Sequence, residues 1–335
     1  MSDTYLVTGG TGYVGGFTVL QLLEEGKTVR TTIRNLAKEA QFRKSIYSSS
    51  DKLTKEIVDS KLTVIEADLL KDANWTEAIK DVTYVLHVAS PFPPSQPEDP
   101  ETLIKPAKEG TLRILELAAK TPSVKHVVVT SSFAAIRFGY PADRTETFTE
   151  KDWTIVDKSD SYYVKSKAIA EKSAWDYVKE HKVHYGLSVI NPALIIGPSL
   201  KYQVTNSTSI NKIKTLIDGT LKETGAAKQY LSLVDVRDIA KLHIEALTNP
   251  KANGERFLAH SGPSISLYEA GQVLAKSDKI SAELKANIPT KELEGTAKPI
   301  PSSVEKAKAA FNWTPIPNEV SLVATVEGIL LQEQE

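Results

Sequence analysis

Three glycines spaced three apart, following a short apolar run, limit what this chain can fold into. In Thr4-Tyr-Leu-Val-Thr-Gly-Gly-Thr-Gly-Tyr-Val-Gly-Gly16, a strand pattern meets a glycine turn. Phe17, Leu20, Leu22 and Leu23 then continue as an amphipathic helix up to Glu24-Glu25-Gly26. Gly9, Gly12 and Gly15 permit a tight turn, close approach of backbone to a phosphate, and close helix-on-strand packing. The unpaired amides of the first helical turn then face an anion. Gly9, Thr11, Gly12, Tyr13, Val14 and Gly15 are the predicted cradle for a dinucleotide pyrophosphate.

The chain has 335 residues, enough for two domain-sized units or one large α/β core with an elaborated end. With 41 basic and 42 acidic residues its formal charge is -1, so no overall field favours nucleic acid or an anionic membrane. Cysteine is absent, which excludes disulfides, thiolate nucleophiles and cysteine metal sites. No metal is expected. No apolar run approaches the roughly 18 residues of a membrane span, and no basic n-region precedes an apolar stretch. These features predict a soluble, cytoplasmic protein, and the sequons at Asn74, Asn206 and Asn312 are read as chance matches.

Lys27-Thr-Val-Arg-Thr-Thr-Ile-Arg34 reads as a second strand. An NAD-binding fold usually carries an acid near its end for the ribose 2′-hydroxyl. Here Ile33 and Arg34 stand there, with Lys38 a helical turn later. A guanidinium suits a 2′-phosphate, so the expected cofactor is NADPH/NADP+. The third strand, Lys61–Ala67, ends at Asp68-Leu69, both predicted cofactor contacts. Two readings stand for Asp68: accepting from the adenine amino group, or capping the next helical turn.

The fourth strand, Asp81–Ala89, brings Val88, Ala89 and Ser90 to the same edge before Pro91-Phe-Pro-Pro94 forces the chain out of the sheet. His87 reads as a packed histidine, and Phe92 as a pocket wall. A helix over 101–120 precedes the fifth strand, His126–Ser132, which delivers hydroxyls, and a helix over 161–181 precedes the sixth, Gly186–Pro192. Strands alternating with helices predict an α/β fold with a doubly wound parallel sheet and right-handed crossovers. Residues 1–192 are the expected dinucleotide-binding domain, to which about 228–247 return. Residues 193–335, punctuated by prolines, are the expected smaller mixed α/β substrate lobe, with the ligand crevice between them.

On the 161–181 helix, Tyr163 and Lys167 are four apart and share a face. A phenol titrates near ~10, and an adjacent ammonium favours its phenolate. A hydroxyl such as Ser132 could orient a substrate oxygen against Tyr163. Phe92, Phe133 and Tyr202 are candidate walls of a pocket for a small-molecule carbonyl substrate. Nothing in that helix separates a monomer from a homodimer.

The ordered set Thr8–Gly15, Ser132, Tyr163-Val-Lys-Ser-Lys167, Asn191-Pro192 and Gly197-Pro198 resembles the extended short-chain dehydrogenase/reductase superfamily. His87–Pro91, Ile104–Ala107, Thr130–Ser132 and Ala170-Glu171 are similar to its dihydroflavonol reductase-like branch, most of all the yeast-type methylglyoxal and aldehyde reductases. The resemblance implies a Rossmann sheet and reversible hydride transfer between NADPH and an aldehyde or ketone. It makes Tyr163 the general acid, Lys167 its partner and a ribose ligand, Ser132 the carbonyl-orienting hydroxyl with Ser131 the neighbouring alternative, and Pro192 a nicotinamide neighbour. Two departures are visible. Ala107 stands where many members have a helix asparagine, and Ile136-Arg137 stand where plant flavonoid reductases have another, which argues against a flavonoid. Rival expectations are an epimerase, dehydratase or hydroxysteroid-type dehydrogenase, of which Ile33-Arg34 disfavours the sugar-nucleotide enzymes, and a non-catalytic NADP sensor, disfavoured by the intact Tyr163 and Lys167.

Overall fold

Short runs of β-branched and aliphatic residues between polar turns set the framework, and neighbouring residues of each run enter different cores. Leu6 faces one core and Val7 the other; Val127 and Val129 part from Val128, and Val189 from Ile190. This is the two-step alternation of a strand covered by helices on both faces. The structure, a computed structural model, describes residues 3–90, 97–141, 143–203 and 207–334. Phe92 lies outside the described residues.

The first half runs β1 (Thr4–Thr8), α1 (Tyr13–Glu24), β2 (Thr28–Ile33), α2 (Glu39–Ser48), α3 (Lys55–Lys61), β3 (Leu62–Glu66), α4 (Trp75–Ile79), β4 (Tyr84–His87), α5 (Glu101–Ala119), β5 (His126–Thr130), α6 (Tyr162–His181) and β6 (Gly186–Pro192). The remainder comprises β7 (Leu194–Ile196), α7 (Thr208–Lys214), β8 (Tyr230–Leu231), β9 (Leu233–Asp235), α8 (Val236–Ala246), β10 (Glu255–Ala259), β11 (Ile265–Ser266), α9 (Leu267–Lys276), α10 (Ala282–Lys285), α11 (Glu305–Phe311) and α12 (Asn318–Gln334). Seven strands form one parallel sheet in the order β10-β6-β5-β4-β1-β2-β3. It is the doubly wound Rossmann-type arrangement. The chain winds outward from β1 to β3, then returns to β4 on the other side, which opens a crevice at the carboxyl ends of β1 and β4.

Helices α1 and α8 cover one face, burying Leu22, Leu23, Ile239 and Leu242, and α5 and α6 cover the other through Ile114, Leu115 and Ala174. A third core gathers Ile196, Ile210, Leu231, Leu274, Leu322 and Val326 from the C-terminal segments. The 228–247 stretch contributes α8 to the sheet's helical layer, whereas its strands pair elsewhere, β8 with β11 and β9 with β7. The return into the main sheet is made by β10, whose Glu255–Ala259 register with Ser188–Pro192. Among the described residues no helix is long and apolar enough to cross a membrane.

Candidate active site

The glycine turn is shaped by its backbone. Gly9 has φ +74°, and a side chain at Gly15 would collide with the Gly9 carbonyl. At Gly12, the N-cap of α1, a Cβ would meet only the Gly9 oxygen at 3.2 Å, and no side chain caps the helix. The amides of the first turn therefore have no partner from a capping side chain, and the space before them is held open. The turn is pinned by Gly9 N to Thr32 Oγ1 at 3.1 Å and Gly10 N to Thr32 O at 3.0 Å. Gln203, which sequence reasoning missed, donates from Nε2 to the carbonyls of Thr11 and Gly12 at 3.0 and 3.1 Å.

A cavity of about 1090 Å³ opens from this turn along the carboxyl ends of the strands, at the upper end of ligand-site volumes. After β1 it is lined by Gly9, Thr11, Gly12, Tyr13, Val14 and Gly15, after β2 by Arg34 and Lys38, and after β3 by Asp68 and Leu69. Val88, Ala89 and Ser90 follow β4, Ser132 and Phe133 follow β5, Pro192 ends β6, and Tyr163 and Lys167 come from α6. All the predicted site residues that are described meet in this one cavity.

At its β2 end, Arg34 and Lys38 are exposed and make no ion pair among the described residues. Asp68 Oδ1 accepts from Leu70 N at 3.0 Å, the local capping arrangement, while the residue also lines the cavity. Tyr202 lines the cavity from the α2 side, with Lys44 Nζ 3.7 Å from its ring centroid and its carbonyl accepting from Gln41 Nε2 at 2.8 Å. It thus stands near the Arg34 end rather than beside Tyr163.

At the other end, α6 begins with Ser161 Oγ accepting from Val164 N, which fixes the register that turns Tyr163 and Lys167 inward. The Tyr163 hydroxyl hydrogen-bonds the Ser132 side chain, and Ser132 Oγ also accepts from Ala134 N at 3.1 Å. Ser131 is turned away: its hydroxyl donates to Glu171 Oε2 at 2.5 Å. Burial pushes the Tyr163 phenol above its ordinary range, and the Ser132 hydrogen bond opposes that. Lys167 Nζ lies 6.0 Å from the Tyr163 ring centroid, and burial is the larger of the influences on the phenol. Burial brings Lys167 down to about 8, and the Glu171 carboxylate opposes the fall.

Two buried histidines brace the strand ends. Thr8 Oγ1 accepts from Val88 N and Ala89 N at 3.1 and 3.0 Å, so its own proton goes to His87 Nδ1 at 3.0 Å. Burial, aided by the Lys167 charge, brings His87 to about 3, so it is neutral at physiological pH, as a packed residue should be. His243 Nδ1 faces the Ile239 carbonyl, so Nε2 accepts from the Thr130 hydroxyl at 2.7 Å.

The family model for the NAD dependent epimerase/dehydratase family matches residues 5–259. A cinnamoyl-CoA reductase of Medicago truncatula is 32% identical over 339 residues, covering 98% of this chain and 96% of that one. Yeast Gre2, a methylglyoxal/isovaleraldehyde reductase solved with NADPH, superposes with a TM-score of 0.82 at 25% identity over 99% of both chains. Gre2 of Candida albicans, also in complex with NADPH, gives 0.85 at 28% identity over 98% of both.

Proposed function

The chain belongs to the NAD-dependent epimerase/dehydratase family, and on that premise we propose that it is an NADPH-dependent reductase of aldehydes and ketones. One observation carries the reading: the Tyr163 hydroxyl is hydrogen-bonded to Ser132 and shares a helix face with Lys167, at the end of the cavity remote from the glycine turn and Arg34. Methylglyoxal, isovaleraldehyde and cinnamoyl-CoA, named for the relatives, have in common a carbonyl that a hydride can reduce.

The residues present fit the cofactor. The first amides of α1 hold the pyrophosphate. Arg34 and Lys38, exposed at the β2 end of the cavity, would hold the 2′-phosphate. Lys167 would donate to the hydroxyls of the nicotinamide ribose, and Pro192 would border the nicotinamide. When bound, NADPH supplies the hydride that the carbonyl carbon accepts. Ser132 donates a hydrogen bond to the carbonyl oxygen and orients it, and Tyr163 passes its phenolic proton to that oxygen. Burial serves this direction, because it keeps the phenol protonated at neutral pH. The Lys167 ammonium, 6.0 Å from the Tyr163 ring centroid, would favour the phenolate left behind.

The test is loss of NADPH absorbance, with NADH in parallel, over small dicarbonyls, aromatic aldehydes and bulky ketones. NADPH-preferring turnover is expected. Arg34→Ala should lower kcat/KM with NADPH by roughly tenfold or more, with little change for NADH. Equal losses would remove the 2′-phosphate from Arg34, and silence across the panel with cofactor bound would sink the reductase assignment.

A further inference from the structure

The charges lining the cavity are unbalanced. Arg34, Lys38, Arg137 and Lys167 are cationic, and Asp68 is the one acid among the described lining residues. Arg34 and Lys38 have the cofactor phosphate to answer, and Lys167 has Glu171 one helical turn on. Arg137 has no such counterpart. It follows the short turn Phe133–Ala135 that Ser132 caps, five residues past Ser132. Its guanidinium carbon lies 4.1 Å from the Phe138 ring centroid and 5.5 Å from that of Phe133. Among the described residues its side chain makes no ion pair and no hydrogen bond, and burial alone brings it down to about 10.

A half-buried guanidinium held against two aromatic rings keeps five donors without a protein acceptor among the described residues. It lines the cavity, where an anionic group of a ligand can pair with it. Both expected phosphate sites lie on other strands: the glycine turn follows β1, two strands from β5 and roughly 10 Å away at ~4.8 Å per strand. Arg137 follows β5, and Arg34 follows β2, three strands away in the sheet order, a span of roughly 14 Å at ~4.8 Å per strand. It lies against Phe133 and lines the same cavity as Ser132, on the carbonyl side.

We infer that Arg137 is the specificity determinant for an anionic carbonyl substrate, an oxo acid whose carboxylate pairs with its guanidinium while the carbonyl lies at Ser132 and Tyr163. The inference rests on the reductase reading for the reaction, though not for the anion site itself. The carboxylate is a spectator: the carbonyl gains a hydride and a proton to become a hydroxyl, and NADPH becomes NADP+. The planar fork of Arg suits a carboxylate bidentately, which a lysine would not reproduce.

The experiment compares kcat/KM with NADPH for 2-, 3- and 4-oxo acids and their ethyl esters, in the parent protein, Arg137→Met and Arg137→Lys. The parent should prefer at least one acid over its ester. In Arg137→Met the acid-to-ester ratio should fall roughly ten- to a hundredfold, mostly through KM, and Arg137→Lys should recover part of it. A parent that reduces esters in preference to every acid, or a ratio that Arg137→Met leaves unmoved, overturns the inference while leaving the reductase standing. If neither acids nor esters consume NADPH while an aldehyde or ketone of the panel above does, the inference falls and the reductase stands; if no carbonyl compound does, the reductase reading falls. Calorimetric titration of the NADP+-loaded protein with the same oxo acids then decides the anion site: binding that Arg137→Met abolishes supports it, and no binding overturns it.

Discussion

Tyr163 is held between opposing influences, burial raising its phenol and Ser132 lowering it, with the proton still present at neutral pH. A proton donor in that state is irreplaceable by a ring alone. Tyr163→Phe should therefore cut carbonyl reduction by at least ~10²-fold while NADPH still quenches protein fluorescence with near-parental affinity. Retained turnover would take the acid role from Tyr163. Lys167 adds a pH signature. Its ammonium, with a pKa brought to about 8, is fully present below that value and lost above it. The rate of reduction should be level through pH 6–7.5 and fall as pH rises past about 8, and a profile level to pH 10 would count against Lys167. These residues were legible in the sequence because a spacing of four on one helix encodes a shared face. The partnering of Ser131 with Glu171, which leaves Ser132 to Tyr163, was not, since it depends on how β5 and α6 rotate against each other.

Glu171 ties four elements together from inside α6. Its carboxylate accepts from Ser131 of the β5 end and from Asn191 Nδ2 of β6 at 2.7 Å, and pairs with Arg256 Nε of β10 at 2.6 Å. Asn191 in turn donates to the Ser132 carbonyl at 3.2 Å, so the anchored group holds the backbone that presents the Ser132 hydroxyl. Both members of the ion pair are buried, and removing the charge of one leaves the other uncompensated. Glu171→Gln should cost about 3–5 kcal/mol in urea unfolding, whereas Glu171→Met with Arg256→Met should cost less, because an apolar pair has no stranded charge. The falling limb of the pH profile should also move to lower pH in Glu171→Gln, as Glu171 opposes the loss of the Lys167 proton. A loss under about 1 kcal/mol with an unmoved limb would deny the network both roles. At this scale the six strands from β1 to β6 could be read from β-branched and aliphatic runs, four of them ending at glycine, proline or acidic turns. Strand β10 could not: Glu255-Arg-Phe-Leu-Ala259 opens with two charges, and its place is set by Arg256 reaching Glu171 and stacking at 3.7 Å on the Trp153 ring. Tyr202 and Gln203 reach the cavity by long-range contacts with α2 and the glycine turn, for which no local pattern exists.

The whole molecule stacks helices on both faces of one sheet and adds a third core beside it, so polar groups caught between layers must be satisfied in their neutral forms. Besides His260, which burial also lowers, three histidines are in this position: His87 on β4, His126 on β5, with Nε2 2.7 Å from Ser188 Oγ, and His243 on α8, which accepts from Thr130. Burial brings them to about 3, 4 and 4. In the unfolded chain each titrates near ~6.5. Between those values the unfolded state binds more protons than the folded one, so stability is undiminished above pH ~6.5 and is lost as pH falls toward 4. Each histidine contributes a slope of up to ~1.4 kcal/mol per pH unit. The urea midpoint should thus drop steadily between pH 6.5 and 4.5, a range above the ordinary titration of carboxylates. In His243→Gln that slope should shrink by about one proton's worth, whatever the variant's stability at pH 7. An unchanged slope would mean that His243 takes up its proton in the folded molecule, and that α8 does not seal it against water.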